Sequence, residues 1–197
     1  MRLIGLTGGI ASGKTTVAKI LERMGVAAVD ADMLAREVVA PGEPAYNAIV
    51  AEFGPGILNS DLSINRPALA QIVFADPEAR RRLESITHPA IGARAAEKLA
   101  ELDRQGMPVA LYVAPLLIEA GITSRVDEVW VVYADPQTQL KRLVERDGMT
   151  PDEALLRIAA QMPMEEKKEY ASIVIDNRGS LEELEQQVRE IWKNYEL

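Results

Sequence analysis

Apolar residues fall into five short runs along the chain, at positions 3–7, 26–29, 109–113, 129–133 and 171–175. Each is strand length rather than helix length. Val109-Ala110-Leu111-Tyr112-Val113 and Val129-Trp130-Val131-Val132-Tyr133 are apolar throughout, as strands covered on both faces must be. After the first run the apolar positions Val17, Ala18, Ile20, Leu21 and Met24 recur at helical spacing. After the last, Leu181, Leu184, Val188, Ile191, Trp192 and Tyr195 do the same. Strands alternating with helices predict a three-layer α/β fold, a five-stranded parallel sheet with helices on both faces.

The interval 34–102 breaks the alternation. Tyr46, Ile49, Val50 and Phe53 keep helical spacing until Gly54-Pro55-Gly56 ends it. Asn65-Arg66-Pro67 opens a helix with Leu69, Ile72 and Val73 on one face, and Asp76-Pro77 opens another through Leu83 and Ile86. His88-Pro89 is expected to interrupt that helix, with a separate long one over 91–102. No strand signal occurs here, so the interval reads as a helical insertion that holds a substrate. Further on, Asp135-Pro136 starts a helix that Asp147-Gly148 ends, and Thr150-Pro151-Asp152-Glu153 starts the next with a capping box. Ser180 and Glu183 make a second capping box before the closing helix. The chain is thus expected to be one unit over 1–197. A nucleotide-binding core takes 1–32, 106–136 and 170–197, a helical substrate-binding subdomain 33–105, and a helical lid 137–169.

The chemistry concentrates where the first run turns into the first helix. Gly8, four residues, then Gly13-Lys14-Thr15 follow the spacing G-x-x-x-x-G-K-[ST]. The stretch Gly8-Gly9-Ile10-Ala11-Ser12-Gly13-Lys14-Thr15-Thr16 is therefore a candidate phosphate loop and makes the fold a P-loop NTPase. Glycines let the backbone curl and point successive N–H groups inward, and the helix N-terminus adds unpaired N–H groups with partial positive charge. Lys14 is the candidate for the β- and γ-phosphates, and the Thr15 hydroxyl for Mg²⁺.

Other candidates flank it. Asp30 and Asp32 end the second run, at the rim where ligands of a doubly wound sheet bind. One caps the helix starting near Met33; the other takes a proton from an attacking hydroxyl or joins the magnesium shell, and Asp32 is favoured for that chemistry. Arg142 and Arg146, four apart, share a helix face, and Arg157 sits on the next helix. Arginines on two helices joined by a short turn suit a mobile lid that offsets phosphoryl charge; the alternative is surface pairing with Glu145, Asp152 and Glu153. His88, the single histidine, reads as structural or positioning, and Arg80-Arg81-Arg82 as mostly a solvated helix face, with contact of one member to a substrate phosphate as the alternative. Glu119 stands open between approaching metal or substrate and a cap or surface pair. The turn Asp176-Asn177-Arg178-Gly179 either lines the adenine pocket or is only a turn.

Composition narrows the partners. With 48% hydrophobic and 26% charged residues, the 197-residue chain is expected to be globular. A net charge of −8 argues against nonspecific nucleic-acid binding but not against a small anion held locally. The absence of cysteine excludes disulfides and thiol chemistry and fits a reducing compartment. Gly8, Gly9 and Ser12 break the first apolar run too early for a signal peptide, and no run approaches spanning length. The expectation is a cytoplasmic protein without membrane partners; oligomeric state is left open, with a monomer favoured.

In order along the chain, the phosphate loop, Val29-Asp30-Ala31-Asp32, His88-Pro89-Ala90-Ile91, Pro115-Leu116-Leu117-Ile118-Glu119, Arg146-Asp147-Gly148, Arg157-Ile158-Ala159-Ala160-Gln161 and Val174-Ile175-Asp176-Asn177 resemble the signature of the dephospho-coenzyme A kinases. Ile118, where the family usually has Phe, and Tyr170-Ala171-Ser172, where it usually has Ala-Asp, are departures. The resemblance implies a nucleoside-monophosphate-kinase-like core and transfer of the ATP γ-phosphate to the ribose 3′-hydroxyl of dephospho-coenzyme A. It implies ATP and Mg²⁺ as cofactors, Lys14, Arg142, Arg146 and the base Asp32 as catalytic residues, and Arg142 and Asn177 beside the loop in nucleotide binding. Asp32, His88, Leu116 and Arg157 fall on the substrate side. The rivals are another small-molecule kinase and a nucleotide-switched regulator. A guanine-specific switch needs Asn-Lys-x-Asp, which is absent, and Asp103-Arg104-Gln105-Gly106 reads as a helix end.

Overall fold

The computed structural model describes residues 1–195, and the last two positions of the expected core segment lie outside them. The described chain divides into two compact units, 1–29 with 102–195, and 30–101. In chain order the elements are β1 (Arg2–Thr7), α1 (Lys14–Arg23), β2 (Ala27–Asp30), α2 (Ala31–Glu37), α3 (Pro44–Phe53), α4 (Arg66–Ala75), α5 (Pro77–Arg104), β3 (Val109–Val113), β4 (Glu128–Tyr133), α6 (Pro136–Asp147), α7 (Pro151–Ala159), α8 (Met164–Glu169), β5 (Ile173–Asp176) and α9 (Leu181–Lys193).

The first unit is built on a five-stranded sheet of order β2-β3-β1-β4-β5. β1 is central and pairs in parallel with β3 and β4, with Leu6 opposite Val113 and Trp130; β4 pairs in parallel with β5. The two continuous apolar runs are β3 and most of β4, and their side chains are buried. Ile4, Leu6, Leu111 and Trp130 pack with Val17, Ile20 and Leu21 of α1 and Leu184 and Val188 of α9. Both expected capping boxes are present, at Thr150 and Ser180. At the amino end of β4, Trp130 meets Trp192 and Tyr195 edge-on. There Glu128 accepts from the Trp130 indole (3.2 Å) and the Tyr195 hydroxyl (3.1 Å), and pairs with Arg2.

The second unit is helical, as its periodicity predicts, with one isolated bridge between Leu58 and Ile64. Ile49, Ile57 and Leu69 form its core, with Phe53, Val73, Leu83 and Ile86 packed around them. The expected interruption at His88-Pro89 does not occur. α5 runs unbroken for 28 residues with Pro89 inside it. Pro89 and Ser85, whose carbonyl loses its N–H partner, both lie on the exposed side, where that carbonyl is open to solvent rather than buried unpaired. α8 carries no amphipathic signal, because only Met164 and Lys167 are buried and Lys167 is a lysine. β5 starts two residues later than the apolar run.

Candidate active site

The turn between β1 and α1 distributes its main-chain donors unevenly. Ser12 N–H closes on Gly9 O (3.2 Å), and Thr16 and Val17 N–H both bond Gly13 O. Gly9 N–H donates to Met164 Sδ (3.0 Å) and Ile10 N–H to Gln161 Oε1 (2.7 Å). Among the described residues that leaves the amides of Ala11, Gly13 and Thr15 without a partner, at a helix N-terminus. Such donors fit anionic phosphate oxygens. Gly13 has φ +97°, and a Cβ there would collide with Asn177 Nδ2. At Gly9 the constraint is space: an added Cβ would run into Gln139 Nε2 and sit 2.9 Å from Met164 Sδ. Lys14 Nζ reaches back to Gly8 O and Gly9 O, each at 2.9 Å. The Ser12 hydroxyl is buried without a hydrogen-bond partner among the described residues.

Side chains from later in the chain hold this loop from behind. Gln139 Nε2 donates to Ile10 O (2.7 Å). Arg142 donates to Ala11 O (3.2 Å) and Asn177 O (2.7 Å), and Asn177 Nδ2 donates to Ser12 O (2.7 Å). Burial pushes the Arg142 guanidinium below its usual range, opposed by the nearby Asp135 carboxylate. Arg142 and Arg146, expected to act from one face, therefore part company. Arg146 is exposed and forks onto Asp147 through Nε (2.6 Å) and NH2 (2.8 Å). That contact lowers the Asp147 carboxyl below the ordinary carboxylate range, with the charge of exposed Arg157 adding to it. The hairpin of α6 and α7 thus carries Arg146 beside its connecting turn and Arg157 in the last turn of α7, while its base is fastened to the loop.

Glu119 resolves as a pairing residue. Lys167 is fully buried, and its ammonium donates to both Glu119 oxygens (2.7 and 2.8 Å) and to Pro115 O (3.1 Å). Met162 N–H also donates to Glu119 (3.2 Å), and Thr7 Oγ1 donates to Pro115 O (3.3 Å). Leu116 is exposed in the same turn. Beside β5, Arg178 forks onto Asp176 and lies over the Tyr133 ring, whose hydroxyl donates to Glu165 (2.7 Å).

In the second unit one of the two aspartates is the expected helix cap. Asp30 is the N-cap of α2, accepting from Asp32 N–H (2.8 Å) and Met33 N–H (3.3 Å). The Asp32 carboxylate is exposed in the first helical turn. His88 is exposed on α5.

A magnesium ion finds no cage of protein ligands: no group of three His, Cys, Asp or Glu able to hold a metal occurs among the described residues. The fit is still good for an ion that keeps its waters and arrives on nucleotide phosphates, with the exposed Thr15 hydroxyl as its protein oxygen. No helix among the described residues is long and apolar enough to cross a membrane.

The dephospho-CoA kinase family profile matches residues 2–183. The chain belongs to the dephospho-CoA kinase family. It is 63% identical to a dephospho-CoA kinase of Geobacter metallireducens, over 98% of this chain and 96% of that one. A Thermus thermophilus crystal structure superposes with TM-score 0.83 at 34% identity, covering 100% of this chain and 98% of that one. The dephospho-CoA kinase of Campylobacter jejuni superposes with TM-score 0.72 at 29% identity, covering 98% and 96%. Motif reading singled out the phosphate loop and proposed Asp32 but passed over Gln139, Met164 and Lys167. Each lies in a stretch with no motif, and what marks them is burial of a polar or sulfur atom against the loop or its supports. Gln161 sits inside a segment the dephospho-CoA kinase resemblance had already picked out, without a role.

Proposed function

We propose that the protein transfers the γ-phosphate of ATP to the ribose 3′-hydroxyl of dephospho-coenzyme A, giving coenzyme A and ADP. The observation that carries this reading is the set of partnerless loop amides on Ala11, Gly13 and Thr15, in a chain of this family. They bind the triphosphate, with Lys14 leaving Gly8 O and Gly9 O for its β- and γ-oxygens. Thr15 holds Mg²⁺, which when bound offsets charge on the phosphate oxygens. Asp32 accepts the proton of the attacking hydroxyl; its neighbour Asp30 is occupied with capping, so the two carboxylates have separate tasks. Arg142 and Asn177 serve nucleotide binding by shaping the loop.

Arg146 and Arg157, on the two helices of a lid taken as 137–169, meet the transferring phosphoryl and the substrate, and closure keeps water from competing as acceptor. The insertion 33–105, with His88, and Leu116 beside the core, hold dephospho-coenzyme A. The chain works in the cytoplasm, without nucleic acid or membrane partners. The test is incubation with dephospho-coenzyme A and Mg-ATP, read by mass spectrometry. A gain of one phosphate on the acceptor is expected, and ATP consumption with an unaltered acceptor would refute the reading.

A further inference from the structure

Both main-chain polar groups of Ile10, on the two peptides that flank it, are held by side chains from later in the chain. Gln139 of α6 donates to Ile10 O, and Gln161, just past α7, accepts from Ile10 N–H, both at 2.7 Å. Gln139 is buried, and Gln161 sits on a segment fixed by Met162 N–H on Glu119 and by the buried Lys167. Directly after the gripped residue, Ala11 takes φ +57°, a left-handed conformation that a non-glycine residue holds only when its surroundings impose it. The amides left over for phosphate, on Ala11, Gly13 and Thr15, follow this point. Both gripping groups are neutral amides. A carboxylate could accept the Ile10 N–H equally well, but it would place negative charge beside a bound triphosphate.

We propose that Gln139 and Gln161 form a bracket on the two peptides flanking Ile10 that presets the loop's amides for the triphosphate, with Gln161 as a positioning residue whose neutrality is part of its function. The proposal rests on the kinase reading above for the identity of the anion. Because the bracket comes from the two ends of the α6–α7 hairpin, it also ties the base of that arginine-bearing hairpin to the loop.

The experiment compares the full chain with Gln161→Leu and Gln161→Glu. It reads hydrogen exchange of the Ile10 amide by NMR, the Kd of a fluorescent ATP analogue at two salt concentrations, and thermal melting. In Gln161→Leu the Ile10 amide should exchange about tenfold faster or more. The Kd should weaken about three- to tenfold, the span one neutral hydrogen bond commands. Gln161→Glu should keep Ile10 protected yet bind the analogue more weakly, with the deficit shrinking as salt rises. A merely structural glutamine would lower the melting temperature and leave the Kd of the folded protein within twofold of wild type; that result overturns the proposal. So does unchanged Ile10 exchange in Gln161→Leu. Should that variant fail to fold, loss of Ile10 protection in Gln161→Glu overturns it as well. A wild-type protein that binds the analogue but leaves dephospho-coenzyme A unmodified would refute the kinase reading while the exchange and Kd results still decide the bracket.

Discussion

Removing one member of the Glu119–Lys167 pair should destabilise the first unit unequally, depending on which member goes. The Lys167 side chain is fully buried, whereas Glu119 keeps 24% of its side-chain surface. Glu119→Leu strands an ammonium whose remaining acceptor is Pro115 O, at 3.1 Å. Stranding a buried charge costs about 3–5 kcal/mol. Lys167→Met strands a carboxylate that retains Met162 N–H and reaches water, so its cost should be about half as large. The double variant leaves no orphaned charge and should recover most of the loss. Urea melts followed through Trp130 and Trp192, which lie in the same unit, measure the three differences. For a chain this size Glu119→Leu should lower Tm on the order of 10 °C. Equal costs for the two single variants, or a double variant no more stable than Glu119→Leu, would refute the reasoning.

The aspartates should separate chemistry from folding. Asp32→Asn is expected to cut turnover at saturating substrates by about 10²–10⁴ with Tm unchanged, and Asp30→Ala to cost about 1 kcal/mol of stability through the lost cap of α2; steady-state rates and melts on both variants check this. Burial, then the hydrogen bond to Glu128, pushes the Tyr195 phenol up to about 12. The folded chain thus keeps this proton where a free phenol, with its pKa near 10, has lost it, so stability is present below pH about 10 and falls as pH rises toward about 12. Melts across that window should show the fall, and Tyr195→Phe should lack it.

The sheet was legible because β3 and β4 are continuous apolar runs, a pattern that only a strand covered on both faces needs. The helix starts at Thr150 and Ser180 were legible because capping boxes are local chemistry, satisfied within three residues. α5 was misjudged at Pro89 for the opposite reason. A proline's cost depends on which side of the helix it faces, and that is decided by packing, with Leu83 and Ile86 turned to the core and Ser85 and Pro89 to water. The phosphate loop was readable as a motif. Its supports were not: Gln139 lies 129 positions from Ile10 in a stretch with no motif, and Gln161 lies 151 away in a segment that the resemblance marked but gave no role. Arg142 shows the same limit, since helical spacing placed it beside Arg146 while burial turned it to the loop carbonyls.

The most direct measurement of the central claim follows the γ-phosphate of isotopically labelled ATP through one incubation with dephospho-coenzyme A, for the wild type and for Asp32→Asn. The account predicts label on the ribose 3′-oxygen of the acceptor with the wild type, and a rate lower by two orders of magnitude or more with Asp32→Asn. Label appearing only as inorganic phosphate, or an Asp32→Asn chain that transfers it at an undiminished rate, would contradict it.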